Sequence, residues 1–175
     1  MPRGPVVVAD YSDNPGSGAY SDCTAMIAAL LDAGIYNAAA GALWDPAAAT
    51  ELAKAGVGAR VTLSIGGKCD PLIGGGPLEL TGEVRAISDG AFTFEGPMFT
   101  GLPGSTGLSV SFRVEGIDIM IVTDRMQMLD QNIFRLIGIE PANKSVLAVK
   151  SMQHFKGAFA PIASAIITAD APSVI

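Results

Sequence analysis

Charged and aromatic residues are both scarce in this chain, which limits the partners it can take. Charged residues make up 16% of the 175 residues and aromatic residues 6%. Lysines and arginines number 11 against 17 acids, for a net charge of −6, and no basic cluster occurs. Nucleic acids and anionic membranes bind such clusters, so we expect neither as a partner. At 49% hydrophobic, the composition is that of a globular domain with a buried core.

Signals for export and membrane insertion are also missing. No apolar run approaches the roughly 20 residues that span a bilayer. Asp10 interrupts the opening MPRGPVVVAD too soon for a signal peptide. Cys23 and Cys69 lie far apart and outside any CxxC or Cys/His cluster, which is typical of reduced thiols. We therefore expect a cytoplasmic protein and a single domain over residues 1–175.

His154 is the single histidine, too few for a self-contained zinc site. Zinc normally takes several His, Cys or carboxylate ligands, so we expect no metal or cofactor held by this chain alone. A structural or substrate-contacting role for His154 is the alternative. A Ser–His–Asp triad with Ser151 lacks the GxSxG nucleophile elbow, and neither Ser151 nor Cys69 has a visible activating base.

Hydrophobic periodicity predicts an α/β fold whose chain starts β-α-β-α. The four elements are Val6–Ala9, a helix over Asp22–Ala33 started by Ser21 and Asp22, Ala39–Trp44, and a helix over Pro46–Ala55 capped by Asp45. This order favours parallel pairing with a right-handed crossover.

The middle of the chain reads as hairpins. The predicted pairs are Leu78–Ile87 with Ala91–Glu95 around Ser88-Asp89-Gly90, and Leu108–Val114 with Ile117–Thr123 around Glu115-Gly116. The remaining elements are a strand at Arg60–Ile65, a short helix from Asp130 to Ile137, a strand at Ser145–Val149, a helix capped by Ser151 and ended by Pro161, and a strand at Ala165–Ala169. The prediction is a mixed sheet with a β-rich hairpin middle section.

The stretch VVVADYSDNPGSG is the most informative one for function. A β-branched run ends in a glycine-rich turn, and ligands of α/β proteins bind where such strands end. Asp10, Asp13 and Asn14 would face the ligand, and Gly16 and Gly18 would let backbone N–H groups approach an anion. The alternative is a tight turn with Asx caps.

Three cations outside this turn are weaker candidates. Lys68 in Gly66-Gly67-Lys68-Cys69 imitates the end of a P-loop, but Thr62 and Cys69 break the motif and a strand-ending turn is favoured. Arg125 and Lys150 each follow or end a predicted strand. Each would clamp a carboxylate ligand or pair with a structural acid.

Taken together, the motifs resemble the C-terminal domain of the MlrC (microcystinase C) family of candidate zinc metallopeptidases. The resemblance covers essentially the whole chain. It is carried by VVVADYSDNPGSG, LWDP at Leu43–Pro46, SIGGKCDP at Ser64–Pro71, TDRMQMLD at Thr123–Asp130 and VKSMQHFKGAFAPIA at Val149–Ala163. One departure is Ser17, which stands where the family's turn has the middle glycine of a triplet.

The resemblance implies metal-dependent amide or peptide hydrolysis in concert with a second domain or chain. In the family, that N-terminal-type region holds the zinc. The substrate that the resemblance implies is a small peptide-like molecule. Asp10, Asp13, Asn14, Gly16 and Gly18 would line the cleft that faces it. Arg125, Lys150 and His154 would bind a substrate carboxylate or steady the interface.

Two alternatives remain open at this point. The first is a non-enzymatic binding or assembly module that retains the fold and self-associates as a homo-oligomer. The second is an autonomous enzyme with Ser151 or Cys69 as nucleophile.

Overall fold

The chain folds as a mixed α/β protein around one large sheet. A computed structural model describes residues 4–70 and 72–171. In chain order the elements are β1 Val6–Asp10, α1 Ala25–Asp32, β2 Ala38–Trp44, α2 Pro46–Ala55, β3 Arg60–Ile65, β4 Leu78–Ser88, β5 Ala91–Thr93, β6 Pro103–Ser105, β7 Ser109–Val114, β8 Ile117–Val122, α3 Asn132–Arg135, β9 Val146–Lys150, α4 Phe155–Phe159 and β10 Ala165–Ala169. Single 3₁₀ turns lie at Pro15–Ser17 and Pro141–Asn143.

The large sheet has a parallel half and an antiparallel half. Its eight strands run in the order β10-β1-β9-β2-β8-β7-β4-β3. The first five are mutually parallel, and β7, β4 and β3 continue antiparallel. The mixed sheet and its β-α-β-α start are confirmed. β1 and β2 are parallel as expected but not neighbours, because β9 lies between them.

Alternating side chains pack on both faces of the sheet. On β8, Ile117, Ile119 and Ile121 face the helices α1 and α2, while Met120 and Val122 face α3 and α4. Strands buried on both faces read as continuous apolar runs, which is the pattern of β2 and, apart from Asp118, of β8. Among the described residues, no helix is long and apolar enough to cross a membrane.

Of the two predicted hairpins, one is confirmed and one is wrong. Glu115-Gly116 joins β7 to β8 as expected. Ser88-Asp89-Gly90 does not pair its flanking strands, since β4 pairs with β3 and β7, and β5 pairs with β6 in a separate two-stranded sheet. Gly90 packs closely on Gly107. A Cβ added to Gly90 would overlap the carbonyl oxygen of Gly107. The turn at Gly90 therefore packs against the segment that follows β6 instead of closing a hairpin with β4.

The predicted start of a helix is correct where the side chain of the predicted cap residue accepts a hydrogen bond from the first turn of that helix. Asp45 caps α2, accepting from the Ala48 N–H with Pro46 at the first position. α1 begins at Ala25 rather than Asp22, because Ser21 has a left-handed φ of 62°. α4 begins at Phe155, not next to Ser151, whose hydroxyl accepts a hydrogen bond from Gln127 instead.

Candidate functional site

All eight sequence-predicted site residues lie at one edge of the sheet. Asp10 ends β1, Lys150 ends β9, and the others follow the carboxyl ends of β1, β8 and β9. The loops at this edge are tied together, since the Trp44 N–H donates to the Ser21 carbonyl at 2.8 Å and the Ser21 hydroxyl to the Ala42 carbonyl at 3.0 Å. In open α/β sheets this is the edge at which ligands bind.

A buried group of three charges, which we name the Lys150 cluster, lies beneath this edge. It consists of Lys150, Asp10 and Asp13. The Lys150 ammonium donates to Asp10 Oδ2 at 3.0 Å, to Asp13 Oδ2 at 2.6 Å and to the Cys23 carbonyl at 2.9 Å. Its three N–H donors are therefore all used. Burial would lower the pKa of Lys150, but the two carboxylates outweigh it and hold that pKa above its ordinary value.

Asp13 joins this cluster to the loop above it. Its Oδ1 accepts from the Ser21 N–H at 2.7 Å, and its Oδ2 accepts from the Cys23 N–H at 2.9 Å. Asp13 is 0% exposed. The Lys150–Asp13 pair thus fixes residues 20–24 to the end of β9, across 137 residues of sequence.

The second oxygen of Asp10 is not satisfied by the protein. Asp10 is 1% exposed, and its Oδ1 has no hydrogen-bond partner among the described residues. Asp10 and Lys150 line a cavity of about 10 Å³ with Cys23, Ile27, Gly41 and Ala148. This is the size of one water molecule, the usual partner of a buried oxygen of this kind.

The turn itself closes on its own hydrogen bonds. Asn14 Oδ1 accepts from the Gly16 N–H at 3.0 Å, and the Gly18 N–H donates to the Pro15 carbonyl at 3.2 Å. These N–H groups are not available to an anion, so the alternative of an Asx-capped turn describes its hydrogen bonding. Gly16, Ser17 and Gly18 are exposed and offer a surface with almost no side chains.

Arg125 forms the exposed, cationic part of the edge. Its guanidinium carbon lies 3.5 Å from the centre of the Trp44 ring, and its Nε donates to the Tyr20 carbonyl at 2.8 Å. Trp44 is itself held by a 2.8 Å hydrogen bond from Nε1 to the Thr123 carbonyl. The guanidinium is therefore oriented in advance, with Nη1 making no hydrogen bond to a described residue, as a planar carboxylate binder requires.

Two buried carboxylates at this edge were not recognised as site-forming from the sequence. Asp22 Oδ2 accepts from the Lys68 and Cys69 N–H groups, both at 2.8 Å. Asp45 Oδ2 accepts from the Gly66 N–H at 2.9 Å and from Lys68 Nζ at 2.7 Å. The P-loop-like segment therefore holds protein carboxylates where a P-loop would hold phosphate. The strand-ending turn is confirmed, although Lys68 is paired rather than simply solvated.

His154 and the two candidate nucleophiles do not assemble into a catalytic group. His154 is exposed at the start of α4, and its side chain makes no hydrogen bond or ion pair with the described residues. Ser151 contacts Gln127 at 3.1 Å and no histidine. Burial and the neighbouring Asp22 raise the pKa of the Cys69 thiol, which disfavours the reactive thiolate.

The residues of this edge do not fit a zinc ion. No three His, Cys, Asp or Glu side chains converge as metal ligands within residues 4–70 and 72–171. The carboxylates of Asp10 and Asp13 do meet, but the Lys150 ammonium lies between them, at 3.0 and 2.6 Å from their oxygens.

Comparison with known proteins gives this α/β domain a family. Residues 8–175 match the model described as the MlrC C-terminus. Microcystinase C from Sphingomonas sp is 34% identical over 166 residues, which are 93% of this chain and 31% of that protein. The chain belongs to the MlrC family, as its C-terminal domain.

A solved structure shares the fold. The crystal structure of a candidate metallopeptidase from Mesorhizobium sp. BNC1 superposes with a TM-score of 0.86 at 23% identity, covering 98% of this chain and 34% of that one. The chain thus spans about a third of the length of both relatives.

Proposed function

We propose that this chain is the substrate-cleft part of an MlrC-like metallohydrolase that cleaves peptide or other amide bonds. The observation that carries the proposal is the family match over residues 8–175 of a chain that spans only 31% of microcystinase C. Because the residues at its strand edge do not fit a metal, we assign the metal ligands, zinc by family resemblance, to the region that this chain does not match.

Within that scheme the strand edge has three roles. Arg125, oriented by Trp44 and Tyr20, binds a carboxylate of a small peptide-like substrate. The exposed glycines of the turn let the substrate or the metal-binding region approach the backbone closely. The Lys150 cluster holds the loops that position Arg125 and the glycine turn. Asp10 and Asp13 therefore have a positioning role and do not contact the substrate.

The test is a reconstitution with the Sphingomonas relative. The region of microcystinase C that this chain does not match is supplied with divalent metal, joined to this chain or added separately, and hydrolysis of linear peptides is measured. We expect hydrolysis by the combination and none by this chain alone. Arg125→Gln should raise KM for peptides with a free carboxylate more than for their amides, whereas Arg60→Gln, an exposed control, should not.

Two results would contradict the proposal. Robust hydrolysis by this chain with metal alone would place the catalytic group here. A stable complex without hydrolysis of any peptide would favour the binding or assembly module, and light scattering on the chain alone would then test for a homo-oligomer.

A cytoplasmic location and a single domain over residues 1–175 also remain predictions. Cell fractionation tests the location, and limited proteolysis tests the domain organisation.

A further inference from the structure

A second group of buried charge lies at the opposite end of the strands. Asp118, the second residue of β8, is 1% exposed and lies directly across the β7–β8 hairpin from Arg113. Arg113 binds it through two bonds, Nε to Oδ1 at 2.7 Å and Nη2 to Oδ2 at 2.8 Å. Lys144, from the loop before β9, donates to Oδ2 at 2.6 Å. We name these three residues the Asp118 cluster.

The Asp118 cluster carries a net positive charge. Burial would raise the pKa of Asp118, but hydrogen bonds from Arg113 and Lys144 outweigh it and hold the pKa below its usual value. One ionised carboxylate therefore faces two cations. Of the other charges nearby, Arg85 pairs at 2.7 Å with Glu83, which is also the cross-strand neighbour of Arg113, and Glu140 pairs at 2.8 Å with Arg135. The excess of one positive charge is notable in a chain of net charge −6.

This charge faces an open cavity of about 300 Å³. Arg113, Lys144 and Arg85 line one part of it, and the half-buried Ala86 supplies a small apolar part. Two donors of lining residues make no hydrogen bond to a described residue: Arg113 Nη1 and the Asn143 side-chain amide. Convergent polar groups beside an apolar surface are the usual make-up of a small-ligand site.

We propose that this cavity binds a small organic anion, with its carboxylate or phosphate oxygens on Arg113 and Lys144 and its carbon skeleton beside Ala86. The planar guanidinium, held by Asp118, presents its remaining N–H groups to an oxyanion without a change of conformation. The site lies at the far end of β8 and β9 from the strand edge of the proposed hydrolase cleft, and the proposal does not depend on that function.

The experiment is a titration of the full chain with succinate and with inorganic phosphate, followed by amide NMR shifts. We expect saturable binding with Kd below about 10 mM, with the largest shifts at Ser111, Arg113 and Lys144. Tighter binding of succinate than of phosphate would show that the apolar part contributes; equal binding would assign the affinity to the oxyanion alone. Both support the site.

A matched pair of variants separates this site from general charge effects. Asn143→Asp adds one negative charge at the cavity from an exposed residue and should weaken binding about tenfold. Gln153→Glu makes the same chemical change beyond the other end of β9 and should leave the Kd unchanged. Unchanged thermal unfolding would confirm that both variants fold. No saturable binding by the wild-type chain, or equal loss in both variants, would overturn the proposal.

Discussion

The two buried ion clusters differ in stoichiometry and in what surrounds them. The Lys150 cluster joins one cation to two carboxylates, uses all three donors of the ammonium, and adjoins a cavity of about 10 Å³. The Asp118 cluster joins one carboxylate to two cations, leaves donors unused, and adjoins a cavity of about 300 Å³. The first is a closed structural tie, and the second is an open binding surface.

This difference separates two uses of the same chemistry. A buried charge is costly unless it is paired with an opposite charge, so the closed cluster fixes the loops of the strand edge to the sheet. An ion pair whose cation is partly exposed, as Arg113 is, contributes less to stability but can still offer its spare donors. Substitutions in each cluster test this division.

Removing the central cation should have the largest effect on stability. Lys150→Met leaves Asp10 and Asp13 buried without a counter-charge, so we expect the free energy of unfolding to fall by about 3–5 kcal/mol. Urea unfolding followed by circular dichroism measures it. Lys156→Met, at an exposed position, is the control and should change it by less than about 0.5 kcal/mol. A loss below about 1 kcal/mol for Lys150→Met would show that the cluster is not a tie.

The two carboxylates of the closed cluster should be unequal. Asp13→Asn weakens the bonds to Lys150, Ser21 and Cys23 together, and we expect it to lower the free energy of unfolding by about 2–3 kcal/mol. Asp10→Asn keeps an oxygen for Lys150 and removes the surplus negative charge, so its cost should stay below about 1 kcal/mol. Equal losses would contradict the assignment of the loop contacts to Asp13.

The open cluster should tolerate change better. Asp118→Asn keeps one oxygen as an acceptor, and the partly exposed Arg113 regains contact with water, so we expect a loss of about 1–2 kcal/mol in the same urea experiment. A loss as large as that of Lys150→Met would remove the distinction between the clusters.

The pH dependence should be opposite in sign for the two clusters. The pKa of Lys150 is raised in the folded state, so its contribution is complete below its unfolded value of about 10.4 and is lost as the pH rises beyond it. The pKa of Asp118 is lowered, so its contribution is complete above about 3.9 and is lost as the pH falls below it. The free energies of unfolding of the wild type, Lys150→Met and Asp118→Asn, measured from acid to alkaline pH, test both pH dependences.

The sequence predicted the location of the candidate site better than its contacts. A β-branched run that ends in Asp10 marks the carboxyl edge of a strand, and this holds for local reasons. The pairing of Lys150 with Asp13 depends on β9 lying beside β1, a neighbourhood that no local pattern encodes. The sequence does indicate the Asp118 ion pair. A single acid inside the buried run IDIMIV needs a cationic partner, because an unpaired buried carboxylate is costly.

The predicted helix start and the predicted hairpin turn are wrong at residues that contact a different part of the chain. Ser21 and Asp22 have the composition of a helix start, yet the Asp22 carboxylate holds the backbone of Lys68 and Cys69. The turn at Gly90 has hairpin composition, yet its contact with Gly107 comes from a distant segment. In both cases a tertiary contact overrides a correct local preference.

The central claim is that the Lys150 cluster holds the candidate site in place, and the amide hydrogen exchange of Ser21 and Cys23 tests it most directly. Both N–H groups donate to the buried Asp13 carboxylate. In the wild-type chain we predict protection comparable to that of the central strands β2 and β8, and in a folded Lys150→Met variant we predict that this protection is lost while that of β8 persists. Equal protection of Ser21 and Cys23 in both proteins would contradict the account.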